Sequence, residues 1–193
     1  MRRINVTNNV TLDGVMQAPG GKEEDTRNGF RHGGWAAPYH DEVKMKIMGR
    51  GMAKRGALLF GRHTYEHFFK VWPGRTDNPF TEVLDNTQKY VVSTTMKEPL
   101  PWKNSTLLAG DAEATVAALK NEPGLDLTIL GSGELVRSLV RHNLIDQFVL
   151  LIHPLILGAG QRMFDNDGTL ARFKLAESVP TTTGVIIATY ELA

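Results

Sequence analysis

The sequence predicts a single α/β domain built on a mixed, mainly parallel sheet with helices on both faces. Three observations carry that expectation. Short apolar runs bounded by glycine, such as Ala57-Leu58-Leu59-Phe60 between Gly56 and Gly61, have the form of strands buried on both sides. Such runs alternate with segments of helical periodicity: Leu127-Thr128-Ile129-Leu130 leads through Gly131-Ser132-Gly133 into a stripe of Leu135, Val136, Leu139 and Val140. Two β-rich segments, 173–179 and 185–190, close the chain across Pro180 and Gly184, the pattern of an antiparallel hairpin.

The remaining elements follow in chain order. Residues 4–10 are rich in β-branched side chains and read as a first strand ending at Leu12-Asp13-Gly14, where Asp-Gly favours a turn. The stretch from Gln17 to Gly34 is polar and glycine-rich, and reads as a long loop able to cover a site. Residues 41–54 read as a helix, with Met45, Met48 and Met52 beside Val43 and Ile47 on its apolar side. The middle, 71–87, is punctuated by Trp72-Pro73-Gly74 and Asn78-Pro79 and reads as loop. Tyr90-Val91-Val92 is a further buried strand, and Asp111 a cap for a helix running to about Lys120. Residues 145–153 form another apolar strand, stopped by Pro154.

Composition narrows the function. The chain has 193 residues, enough for a core plus one site, and 22 Lys and Arg against 21 Asp and Glu leave no basic field for nucleic acid. The absence of cysteine removes disulfides, thiolate nucleophiles and the zinc-deaminase reading, and fits a reducing compartment. Polar residues interrupt any amino-terminal signal core and no run reaches a membrane span, so a cytoplasmic location and no membrane partner are expected. No His and carboxylate spacing points to a metal.

The chemistry-bearing residues gather at strand ends. Gly131-Ser132-Gly133 between a strand and a helix lets backbone approach a phosphate, with free amides at the helix start as donors; a tight turn is the plain alternative, because Val136 stands where a full fingerprint has its third glycine. Gly61-Arg62-His63-Thr64-Tyr65-Glu66 puts a guanidinium, an imidazole and a hydroxyl after another strand, and Ser93-Thr94 adds hydroxyls after a third. Asp41 reads either as a helix cap or as a working carboxylate. Asp13 reads as a brace for its own turn, and His153 as a satisfied structural group.

These residues resemble a known family. The octet Leu59-Phe60-Gly61-Arg62-His63-Thr64-Tyr65-Glu66 is similar to the segment that opens the cofactor site of dihydrofolate reductases, and Ile129 to Leu135 and Val92-Ser93-Thr94 are similar to later parts of that site. Thr11-Leu12-Asp13-Gly14, Leu144-Ile145-Asp146 and Pro154-Leu155-Ile156-Leu157-Gly158-Ala159-Gly160 resemble the branch containing the riboflavin-pathway pyrimidine reductase domain, over roughly the whole chain. The resemblance implies a dihydrofolate reductase-like three-layer fold and an NADPH-dependent reductase acting on a C=N or C=O group of a small pterin- or ribosylaminopyrimidine-like substrate. It implies that Arg62, His63, Thr64, Ser93 and Thr94 hold the adenosine end and its 2'-phosphate. Gly131, Ser132, Gly133, Glu134 and Leu135 would take the pyrophosphate, and Val15, Met16 and Gly61 the nicotinamide half. Trp35 and Asp41 resemble the tryptophan and carboxylate that flank the pterin, with a spacing of six residues where that family has five, so that His40 takes the strict position. A homodimer is implied, with the apolar 148–157 segment as a sheet-edge or face contact. A nucleotide-binding protein without turnover and a true dihydrofolate reductase are the rival readings.

Overall fold

The structure, a computed structural model, describes residues 1–53, 56–78, 80–164 and 166–193. One eight-stranded sheet runs through it in the order β4-β3-β2-β5-β1-β6-β8-β7. Its strands are β1 Ile4–Thr11, β2 Ala57–Gly61, β3 Lys89–Ser93, β4 Ser105–Ala109, β5 Leu127–Leu130, β6 Gln147–His153, β7 Phe173–Pro180 and β8 Ile186–Leu192. The first six pair in parallel, and β8 joins β6 antiparallel with β7 as its hairpin partner. The helices are α1 Glu42–Ala53, α2 Arg62–Val71, α3 Phe80–Asn86, α4 Ala112–Asn121 and α5 Gly133–Arg141. This is the predicted mixed sheet with its carboxyl-terminal hairpin.

Strand alternation sorts the layers. Ile4, Val6 and Val10 of β1 pack with Val116 and Leu119 of α4 and with the α5 stripe of Leu135, Val136, Leu139 and Val140. The opposite face holds two clusters: Leu58, Phe60 and Val91 under α2 and α3, and Leu151 and Ile187 under Ile47 and Met48 of α1. Because side chains alternate along a strand, Asn5, Thr7 and Asn9 of β1 lie on that second face, each only half buried.

Three expectations change. The 71–87 stretch contains α3: Asn78 Oδ1 accepts from Phe80 N at 3.0 Å, so Asn78, which read as loop punctuation, stands at a helix start. On α1 Ile47 and Met48 pack inward as read, but Met45 is exposed and Lys44 is buried beside them. The Met52 side chain and the predicted helix end at Lys54 lie outside the described residues, as does Pro79. The 148–157 segment cannot offer a sheet edge, because β6 is paired on both sides; the edges are β4 and β7.

β3 starts one residue earlier than read, at Lys89, which is fully buried. Its ammonium donates to the carbonyls of Asp85, Thr87 and Lys103 and lies 4.5 Å from the Trp102 ring centroid. Burial pulls its pKa down to about 8 while Asp85 opposes the shift, so the cation survives at neutral pH and ties α3 to the β3–β4 connection.

Candidate functional site

At the carboxyl ends of β2, β3, β4 and β5 lies a cleft of about 370 Å3, within the size range of small-molecule sites. Gly61, Arg62, His63 and Thr64 line it from β2 and the start of α2, Ser93 and Thr94 from the end of β3, and Ser132, Gly133, Glu134 and Leu135 from the start of α5. The three motifs that the sequence separates by about seventy residues therefore share one wall. Thr95, Gly110, Asp111, Ala112 and Ser138 also line it, with Arg27 and Gln161 from loops. No short sequence pattern marks these additional residues, because loop closure brings Arg27 and Gln161 in.

Of the three helix starts at the cleft, those of α2 and α5 lack a side-chain cap, whereas Asp111 caps α4. Neither Gly61 before α2 nor Ser132 before α5 caps the helix that follows it. An uncapped start leaves amide donors and the positive end of the helix dipole facing the cleft, which suits an anion. The two starts are bolted to each other: Gly61 N donates to Ser132 Oγ at 3.0 Å, and Ser132 N donates to Thr64 Oγ1 at 3.0 Å. Asn8 of β1 holds the turn from below, accepting from Gly131 N at 3.0 Å and donating to the Gly131 carbonyl at 3.3 Å.

Glycine is needed at Gly131 because φ is +69° there and a Cβ would come within 3.3 Å of Thr64 Cγ2. At Gly133 a Cβ would meet Met16 Sδ at 2.7 Å, so Met16 packs against this turn without itself lining the cleft. Gly131 and Val15 do not line the cleft. The backbone of Gly131 is spent on Asn8, and Val15 is fully buried with its amide on Thr11 Oγ1 and its carbonyl on Thr11 N.

Arg62 extends from the first turn of α2, paired with Glu66 at 3.2 Å and donating to His63 Nε2 at 3.2 Å. These are exposed contacts, of the kind that cost little to exchange for a phosphate. Ser93 Oγ accepts from the amides of Thr95 and Met96 and shapes the turn after β3. Thr94 is exposed.

Trp35 and Asp41 part company. Trp35 is buried with Val15, Ala18, Phe30 and Ala36, donates Nε1–H to the Gln17 carbonyl at 2.7 Å, and stands edge-on to His153. Asp41 takes the geometry of a cap. Oδ1 accepts from Lys44 N at 2.7 Å, and Oδ2 accepts from the amide and hydroxyl of Thr182. The Lys44 amide, helped by Thr182, holds its pKa at about 2, so Asp41 has no proton to give at neutral pH. The geometry thus favours the cap over the working carboxylate, because both oxygens are committed to fastening α1 to the 181–183 turn.

Asp13 braces a neighbouring turn as well as its own. It accepts from Thr11 Oγ1, from Leu157 N and from Gly158 N, and although burial would raise its pKa these bonds lower it. His153 departs from expectation. It is fully buried, its Nε2 meets Asn9 Oδ1 at 2.9 Å, and its Nδ1 has no partner among the described residues. Among the same residues there is no group of three His, Asp or Glu placed to hold a metal ion, and no helix long and apolar enough to cross a membrane.

An open α/β sheet with a phosphate-suited cleft across its strand ends, closed by a carboxyl-terminal hairpin, defines the dihydrofolate reductase-like class. Within that class the chain belongs to the RibD C-terminal domain family, whose model matches residues 2–187. It is similar to the uncharacterized protein YyaP of Bacillus subtilis strain 168, at 25% identity over 98% of this chain and 94% of YyaP. A crystal structure of a Shewanella sp. PV-4 protein ascribed to riboflavin biosynthesis superposes with a TM-score of 0.69 at 20% identity, covering 99% of both chains. Acinetobacter baumannii RibD shares the fold with a TM-score of 0.63 at 14% identity; the match covers this whole chain but 58% of RibD.

Proposed function

We propose that the protein is an NADPH-dependent reductase that delivers hydride to a C=N or C=O group of a small pterin- or ribosylaminopyrimidine-like substrate. One observation carries the reading: two uncapped helix starts, bolted together through Ser132 and Thr64, face one cleft beside an arginine. Membership of the RibD C-terminal domain family supports reductase chemistry at that cleft. In this reading the amides at Gly133, Glu134 and Leu135 receive the pyrophosphate. Arg62, His63 and Thr64 with Ser93 and Thr94 hold the adenosine end, the guanidinium meeting the 2'-phosphate that separates NADPH from NADH. Met16 and Gly61 border the nicotinamide half. NADPH supplies the hydride, and the chain's own work is alignment and exclusion of water.

Trp35 then acts by packing, closing the inner end of the site against Val15. Asp41 holds α1 in place, so the proton that accompanies hydride transfer comes from another source, with solvent as the simplest. That assignment keeps one rival alive, a NADPH-binding protein without turnover, which the absence of an available acid at Asp41 favours. Fluorescence titration separates these readings from failure of both. Saturable NADPH binding tighter than NADH binding is expected, and oxidation of bound NADPH by a pyrimidine or pterin then distinguishes enzyme from binder. A protein that responds to neither coenzyme sinks the proposal.

A further inference from the structure

The glycine-rich loop between β1 and α1 sends one charged side chain into the cleft. Arg27 lines it beside the start of α5, as Arg62 lines it from the start of α2. The segment that carries Arg27 is anchored from below. Gln17, 4% exposed, donates Nε2–H to the carbonyls of Asp25 and Arg27 at 3.2 and 3.1 Å, and its Oε1 accepts from Gln161 N at 2.8 Å. A buried amide satisfied in this way fixes the loop backbone against the 161 strand of chain that also borders the cleft.

The guanidinium is gripped along one edge. Nε donates to Asp25 Oδ1 at 2.9 Å and Nη2 to Asp25 Oδ2 at 2.6 Å, a two-pronged pairing that sets the plane of the group, and Nη2 also reaches Gln161 Oε1 at 3.4 Å. Nη1 is left over. Among the described residues it makes no hydrogen bond, and it meets the Glu134 carboxylate at 4.0 Å. Glu134 lies in the first turn of α5, so its amide suits an anion while its carboxylate opposes one. A guanidinium within reach of that carboxylate resolves the conflict, because it can stand between two negative groups and donate to both. Both side chains are substantially exposed, so loosening this long pairing for a phosphate costs little.

NADPH carries two separate anionic centres, the 2'-phosphate and the pyrophosphate, and the cleft holds one arginine at each open helix start. We propose that Arg27 is a coenzyme-binding residue that donates through Nη1 to the pyrophosphate, with Asp25 as the positioning residue that aims it. The two arginines then divide the work. Arg62 selects NADPH by its 2'-phosphate, and Arg27 grips what NADPH and NADH share. The assignment rests on the reductase reading and adds that the glycine-rich loop belongs to the coenzyme site rather than only covering it.

Dissociation constants for NADPH, NADH and 2'-AMP test this on the native protein, Arg27→Gln and Arg27→Lys. The third probe keeps the adenosine and its 2'-phosphate and has no pyrophosphate. Arg27→Gln is expected to weaken NADPH and NADH alike, roughly tenfold, and to leave 2'-AMP within about twofold. Arg27→Lys keeps the charge without the fork and should fall between, roughly threefold weaker than native for both coenzymes. Undiminished coenzyme affinity in Arg27→Gln, or a loss confined to NADPH, overturns the assignment. So does an equal loss of 2'-AMP, or a lysine variant no better than the glutamine one, since either traces the effect to the fold of the loop. If the native protein binds coenzyme and Arg27→Gln changes nothing, this inference falls alone; if the native protein binds neither coenzyme, the reductase reading falls with it.

Discussion

The starts of α1 and α4 differ from those of α2 and α5 in one respect. At α4 Asp111 reaches across to the Ala114 amide at 3.0 Å, and at α1 Asp41 does the same to Lys44 at 2.7 Å; each carboxylate satisfies a donor that the helix geometry leaves over. At α2 and α5 no side chain does so, and the polar groups nearby, Thr64 and Ser132, bond across to the other start. Closed starts are finished for stability. Open starts keep their donors for something else, and both face the cleft that the capped α4 start also borders. The contrast separates two kinds of residue: removing a cap should cost folding and spare binding, whereas closing an open start should cost binding and spare folding.

The strongest test puts a carboxylate where the molecule omits one. Gly133→Asp should reduce NADPH affinity by roughly a hundredfold, about 2.7 kcal/mol, because its charge opposes the pyrophosphate. Its Cβ must displace the flexible Met16 side chain, 2.7 Å away at Sδ, so the melting temperature should fall only slightly, and a titration beside a thermal scan reads both. Next comes Arg62→Gln, expected to weaken NADPH roughly tenfold and NADH little, so that the ratio of the two dissociation constants collapses. Equal losses for both coenzymes would place the 2'-phosphate elsewhere.

The caps should behave in the opposite way. Asp111→Ala should destabilise the fold by about 1 kcal/mol in urea unfolding, with little change in NADPH affinity despite lining the cleft. The smallest effect is expected at Asp41, whose bonds are exposed. Its folded pKa of about 2 lies below the unfolded value of 3.8, so its contribution is complete above pH ~4 and is lost as pH falls toward 2. Asp41→Asn should flatten that part of the stability curve and leave neutral-pH turnover intact; a collapse in turnover with folding preserved would return Asp41 to the chemistry.

Much of the cleft could be read from the chain because it is built from contiguous stretches. Gly61 to Thr64 and Ser132 to Leu135 each follow a strand directly, so local pattern and strand-end position coincide. Val15 misled for the opposite reason: nearness in sequence to the first strand end suggested a cofactor contact, but pairing with Thr11 and Arg162 turns it inward. α3 escaped notice because Asn-Pro serves loops and helix starts alike. The sequence carries no mark for the burial of Lys89 or Lys44, since nothing local tells a lysine that three carbonyls or a buried face await it.

The order of apolar runs and glycine turns by itself determined a mixed sheet, its carboxyl-terminal hairpin and the two strand-to-helix bends. Those signals are local, and a periodicity or a missing Cβ acts over a few residues. Only the tertiary structure decided that the bends lock onto each other, that Asp41 is consumed by a turn 141 residues away, and that His153 is buried with its Nδ1 unpartnered among the described residues. Those outcomes depend on which strands become neighbours, and on whether water or protein then meets each polar group.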